Sequence, residues 1–122
     1  MEKLNKIEIW HKDFNLEKKD NLNEVPTEKG VFGIFGIVND EPVNCRFIGE
    51  SENLQKEIKN VFENPVGEGM KKFMQGPWIQ MLVYKIMPNS TLEDRKNTVE
   101  EWNNQYNPKI DEDGEYPGYY DY

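Results

Sequence analysis

Few side chains in this sequence have both the type and the neighbours to do chemistry. Cys45 is the single cysteine, so the chain closes no internal disulfide. A thiol becomes a nucleophile when a base or a cation lowers its pKa, and no histidine stands near Cys45 in sequence. Its apolar neighbours point to a buried structural thiol instead. His11 is the single histidine. General-base and metal-ligand roles are open to it, but no second histidine and only one distant cysteine accompany it. A structural or solvent-exposed role is expected. Lys71 and Lys72 make the one notable basic spot after the first helix, too small for a nucleic-acid patch. There is no Gly-x-Gly-x-x-Gly loop after a strand, no phosphate-binding Lys-Ser or Lys-Thr loop, no paired cysteine ligands, no nucleophile elbow and no internal repeat.

The elements that must position any site centre on Lys29 to Phe62. Val31 to Val38 is apolar, β-branched and aromatic, and predicts a strand. Asn39 to Pro42 breaks it as a hairpin turn does. A second strand is expected from about Asn44 to Ile48, with Gly49 turning the backbone sharply. Ser51 is the expected cap of a helix over about Glu52–Phe62, with Glu52 in the first turn. Leu54, Ile58, Val61 and Phe62 recur there at helical spacing. Glu63 to Gly69 reads as a loop, and Met70, Phe73 and Met74 share a face of a short helical turn. Trp78 to Met87 is apolar on nearly both faces, as the centre of a sheet requires. Ser90 and Glu93 have capping-box spacing before a second helix, expected over about Leu92–Tyr106. Its stripe is Leu92, Val99, Trp102 and Tyr106, with Arg95 on the same side. At the N-terminal end Ile7 to Trp10 alternates, which predicts a short edge strand with Ile7 and Ile9 facing the core. Phe14, Leu16 and Leu22 form a flap over the hairpin in this reading.

The central stretch resembles the GIY-YIG nuclease domain. Gly33-Ile34-Phe35 stands where that family has its first signature, and Phe47-Ile48-Gly49 where it has its second, at the family's spacing. Ser51, Asn53 and Leu54 match the continuation. Pro26 and Lys29-Gly30-Val31 match the lead-in, and Trp102 and Asn107-Pro108 match the closing helix and corner. The resemblance covers about Val25 to Pro108. It implies a small antiparallel sheet flanked by helices, and a phosphodiester-cleaving site of two tyrosines, an arginine and a metal-binding glutamate.

Carried onto this chain, those four positions are Phe35, Phe47, Glu57 and Val99. Tyr to Phe keeps the ring and removes the hydroxyl. Arg to Glu puts a repelling charge where a phosphate transition state needs a cation. Glu to Val removes the hard oxygen ligand that Mg²⁺ takes. Together these losses imply a scaffold that keeps the fold without the reaction. Glu57, Glu100 or Glu101 are the carboxylates with which a divergent nuclease would have to replace the missing ligands. A helical step of about 100° per residue turns Glu100 away from the face that holds Val99, so Glu100 and Glu101 are expected in solvent.

Length fits one domain with a thin core of its own. The net charge is −8, the wrong sign for affinity built on phosphate contacts. Ordinary solubility explains it, and a surface that avoids or imitates nucleic acid is the sharper alternative. No run approaches membrane-spanning length and the N-terminal stretch lacks a signal-peptide core, so a cytoplasmic protein is expected. Residues 110–122, IDEDGEYPGYYDY, cannot build a core of their own. They read as a disordered solubilising end, or as a peptide whose tyrosines stack while its acids face a basic partner.

The expected fold is α/β, more strictly α+β: a small central antiparallel sheet of about three strands flanked by helices. Residues 1–24 are an N-terminal extension or edge strand, 25–108 the GIY-YIG-like domain and 109–122 the acidic tail. The expected function is a catalytically inactive binding module with a protein partner, without cofactor, without a metal site and without nucleic-acid or membrane binding. The alternatives are a divergent Mg²⁺-dependent DNA endonuclease and an acidic nucleic-acid mimic.

Overall fold

The computed structural model describes residues 4–9, 21–64 and 80–108. Trp10, His11, Phe14, Leu16, the loop and lysines within 65–79, Trp78 and the 109–122 tail lie outside them. Strands β1 (Asn5–Ile9), β2 (Gly30–Val38), β3 (Glu41–Ser51) and β4 (Gln80–Ile86) form one sheet in the order β1-β4-β2-β3. Every pairing is antiparallel. Helices α1 (Leu54–Glu63) and α2 (Leu92–Tyr106) complete an α+β domain. The expected three strands are therefore four. The fourth is the alternating N-terminal segment, which pairs along β4 with Ile7 opposite Leu82 and Ile9 opposite Gln80.

The hairpin turns at Asn39 and Asp40, which both take positive φ, 53° and 64°. This hand of turn matches the twist of paired strands, and Asn and Asp accept it at little cost. The second strand consequently resumes at Glu41, earlier than the sequence suggests. Pro42 lies inside it, opposite Ile37. A proline is tolerated there because β3 is an edge strand with one side free of ladder bonds. Gly49 does not turn the chain. It pairs with Phe32 within the sheet, and a Cβ there would stand 3.0 Å from the rings of both Phe32 and Phe47. The glycine is the space those two rings occupy.

The sheet separates two apolar layers. On one side α1 packs Leu54, Ile58, Val61 and Phe62 against Phe32, Ile34, Leu82 and Tyr84, with Ile9, Leu22 and Val25 closing the edge. On the other, Trp102 of α2 packs against Val31, Phe35, Met81 and Val83, joined by Val99 and Tyr106. Leu22 belongs to the α1-side core, tied to β1 through Asn21, whose amide donates to the Glu8 carbonyl at 2.6 Å. Leu92 departs from the expected stripe and is 49 % exposed, while Arg95 and Thr98 are buried.

α1 starts two residues later than the sequence suggests, whereas α2 spans Leu92–Tyr106 as expected and differs only in its cap. Ser51 remains in β3, and its hydroxyl makes a local turn by accepting from the Asn53 N–H. Asn53 is the cap of α1, its side chain accepting from the Lys56 N–H at 3.0 Å. In α2 the capping box is Thr91 with Asp94, both reciprocal bonds present. Ser90 is drawn off to the Met87 carbonyl, to which its hydroxyl donates at 2.6 Å. Asn107, left-handed at φ 48°, ends α2 ahead of Pro108.

Candidate functional site

The strand register decides where the family-matched positions go. Ile34 faces Phe47 across the hairpin, and partners in an antiparallel pair share a face. Phe35, the next residue, must then point to the opposite face. Phe47 packs on the α1 side, its ring 5.8 Å from that of Phe32. Phe35 packs on the α2 side, edge to face with Tyr106 at 5.1 Å. Glu57 is on α1 and Val99 on α2. The four positions are thus split two and two by the sheet and do not converge. Glu100 and Glu101 are exposed on α2, and neither reaches Glu57 on the other side. Among the described residues no three His, Cys, Asp or Glu side chains are grouped to hold a metal ion.

Glu57 borders a hollow of about 460 Å³ with Ser51, Glu52, Asn53, Lys56 and Asn60. A helix N-terminus is an anion site only while its first N–H groups are free. Here they are used. Leu54 N–H donates to the Glu28 carbonyl and Gln55 N–H to the Pro26 carbonyl, both at 3.0 Å, and Lys56 N–H goes to the Asn53 cap. The Gln55 side chain adds a bond to the Val25 carbonyl at 2.9 Å. The Pro26–Lys29 lead-in works as a clamp on α1, and with Glu52 and Glu57 beside it the hollow does not favour phosphate.

A second polar group ties α2 to the sheet. Arg95, 2 % exposed at its side chain, donates from Nε to Glu50 Oε1 at 2.8 Å and from Nη1 to the Ser90 carbonyl and hydroxyl at 3.1 and 3.0 Å. Glu52 approaches Nη2 at 3.8 Å from the surface. This is a structural lock, with Nε and Nη1 bonded to protein acceptors.

A second concavity comes from an irregularity in the hairpin. Ile34 pairs with Phe47 and Gly36 with Val43, so Asn44, Cys45 and Arg46 stand against Phe35 alone. Asn44 absorbs the surplus by taking φ 50°. The bulged segment and the C-terminal turn of α2 border an open hollow of about 360 Å³, lined by Phe35, Pro42 to Arg46, and Gln105 to Asn107.

No family model, curated protein or solved structure matches this chain.

Cys45 lies in the wall of that hollow. Burial pushes its thiol up to about 12, against the smaller opposing pull of a backbone hydrogen bond with Phe47 and of the Arg46 charge. The thiol is therefore neutral and unreactive near neutral pH, as the sequence suggests. Arg46, Asn44, Gln105 and Asn107 were not legible as a group. The signal was indirect: an Asn and an Arg interrupting an apolar strand, in a hairpin whose two signatures are too far apart for a regular ladder.

Proposed function

We propose that this chain is a catalytically inactive, GIY-YIG-like domain that serves as a binding module for a protein partner. The observation that supports this reading is the division of Phe35 and Val99 from Phe47 and Glu57 by the sheet. Phosphodiester cleavage needs a proton-transfer group, a cation for the transition state and a metal ligand converging on one phosphorus. Two phenyl rings and a valine supply none of these, and a packed sheet lies between the two halves. The net charge of −8 turns the preference from phosphate toward protein. The single thiol, buried at Cys45, suits the reducing cytoplasm. Among the described residues no helix is long and apolar enough to cross a membrane.

The test is incubation with supercoiled plasmid and Mg²⁺ or Mn²⁺ at low salt, with Glu57→Ala and Glu100→Ala run in parallel. The expected result is no nicking and no gel shift. Nicking by the parent that either substitution abolishes would replace this reading with a nuclease using relocated carboxylates.

A further inference from the structure

The sheet has two edge strands, and they are protected to different degrees. β1 is five residues long and carries Lys6 and Glu8. Short length and charge are the usual defences of an open strand against unwanted pairing. β3, at the other edge, is eleven residues long. Its first part is defended by Pro42 and by the bulge at residues 44–46. Its second part, residues 47–51, has no proline and no lysine, and an unbroken ladder to β2. Its one charge, Glu50, is held by Arg95 at 2.8 Å. All of these residues are half-buried. Among the described residues no strand lies along their outer side. An antiparallel partner takes every other N–H and C=O of a strand, so the remainder of this stretch point outward.

The surroundings narrow what fits there. β3 ends at Ser51, on the wall of the hollow that Glu52, Lys56 and Glu57 also border. Glu52 is 79 % exposed at its side chain. Two carboxylates against one ammonium favour a cation, in a chain whose net charge is −8. A second copy of the chain brings the same acids and the same net charge, which opposes self-pairing along this edge. Phe47, Gly49 and Ser51 share a face by alternation, and Phe47 packs on the α1 side. An added strand running antiparallel, as every pairing in this sheet does, sets its N-terminal end beside Ser51. Building on the reading of the chain as a protein-binding module, we propose that residues 47–51 are a strand-addition site for an extended segment of the partner. A Lys or Arg at the N-terminal end of that segment enters the hollow beside Glu52 and Glu57, and its β-branched residues lie against Phe47 and Gly49. Main-chain bonds along the edge supply affinity, and the basic residue fixes direction and register.

Two measurements on the full chain test this. Hydrogen exchange of the chain alone is expected to show alternate amides of residues 47–51 exchanging as open backbone, with those between them protected by β2. Protection of all of them would mean that the chain itself covers the edge, and protection that rises with concentration that a second copy does. Either result would overturn the proposal. The second measurement is titration of the ¹⁵N-labelled chain with the peptide acetyl-Lys-Thr-Val-Thr-Val-amide, followed by amide chemical shifts. Saturable shifts centred on residues 47–53 are expected, half-complete at about 1 mM. Only alternate amides of an added strand face β3. Methylating the two threonine nitrogens, or instead the two valine nitrogens, is therefore expected to abolish binding in one case and not the other. Replacing the peptide's lysine by glutamate is expected to weaken binding by about tenfold. Glu52→Gln combined with Glu57→Gln is expected to remove that difference. No saturable shifts at residues 47–51 up to about 10 mM, loss of binding with both methylated peptides or with neither, or equal binding of the lysine and glutamate peptides to the unaltered chain would each overturn the proposal. Plasmid nicking would overturn the inactive reading of the chain and would alter none of these readouts.

Discussion

Arg95 and Glu50 are partners with unequal access to water, and the inequality decides which of them matters more. Arg95 is 2 % exposed at its side chain and Glu50 27 %. Removing the carboxylate strands a buried cation, whereas removing the cation leaves a carboxylate that can turn to solvent. Glu50→Gln is expected to cost about 3 kcal/mol and Arg95→Met about 1 kcal/mol in urea denaturation at neutral pH. The reverse ranking would show that the packing of the arginine stem, not its charge, holds α2. Cys45 makes a prediction of a different kind. Its folded pKa is raised from 9.0 to about 12. The folded state therefore keeps a proton that the unfolded state begins to lose above about pH 9. The contribution of this thiol is full below that pH and declines as pH rises toward 12, by up to about 1.4 kcal/mol per pH unit. Between pH 9 and 10 the Tyr84 phenol, itself raised by burial, adds little. Urea melts across that interval should show a steeper loss for the parent than for Cys45→Ala. Parallel slopes would mean that the thiol is in contact with water.

At the scale of elements, β2, β4 and α1 approach one another closely at Gly30. A Cβ at Gly30 would lie 2.9 Å from a Leu54 methyl and closer still to the Lys85 carbonyl. Gly30→Ala should cost about 3 kcal/mol, the upper end for overpacking, because a backbone oxygen within a ladder cannot move aside. Gly33→Ala, which meets mainly the edge of the Phe35 ring, should cost less. Equal costs in thermal melts would count against the close approach. Elements of this kind were legible where apolar pattern dictates them: Val31–Val38 and Met81–Tyr84 read as strands of the sheet, while the Ile7, Ile9 alternation left an edge strand and a mere extension both open. Their ends were not legible. Ser51 and Asn53 are both competent caps, as are Ser90 and Thr91, and the choice fell to bonds donated to the Pro26, Glu28 and Met87 carbonyls. The bulge was hidden for the same reason. Asn44 to Arg46 look like ordinary strand, and only the register against Ile34 and Gly36 reveals the surplus residues. With it went the concavity beside the bulge.

For the whole molecule, the sheet is shared by two apolar layers, one on each face. Ile34 and Leu82 belong to the α1 layer, while their chain neighbours Phe35 and Val83 belong to the α2 layer. A strand cannot lose its packing on one face and keep its ladder for the other, so the two layers should unfold as one unit. Ile58→Ala opens a cavity in the α1 layer alone and should cost about 3 kcal/mol. Native-state hydrogen exchange then distinguishes two outcomes. If the domain is cooperative, amides of β2, β4 and α2 lose protection together, by roughly a hundredfold, although no atom of α2 touches the substituted residue. Loss confined to α1 would mean that α2 and its Arg95–Glu50 lock hold the sheet independently. The bulge hollow would then stand on the more persistent half of the fold, where Trp102 and Tyr106 pack edge to face at 5.7 Å beside Phe35.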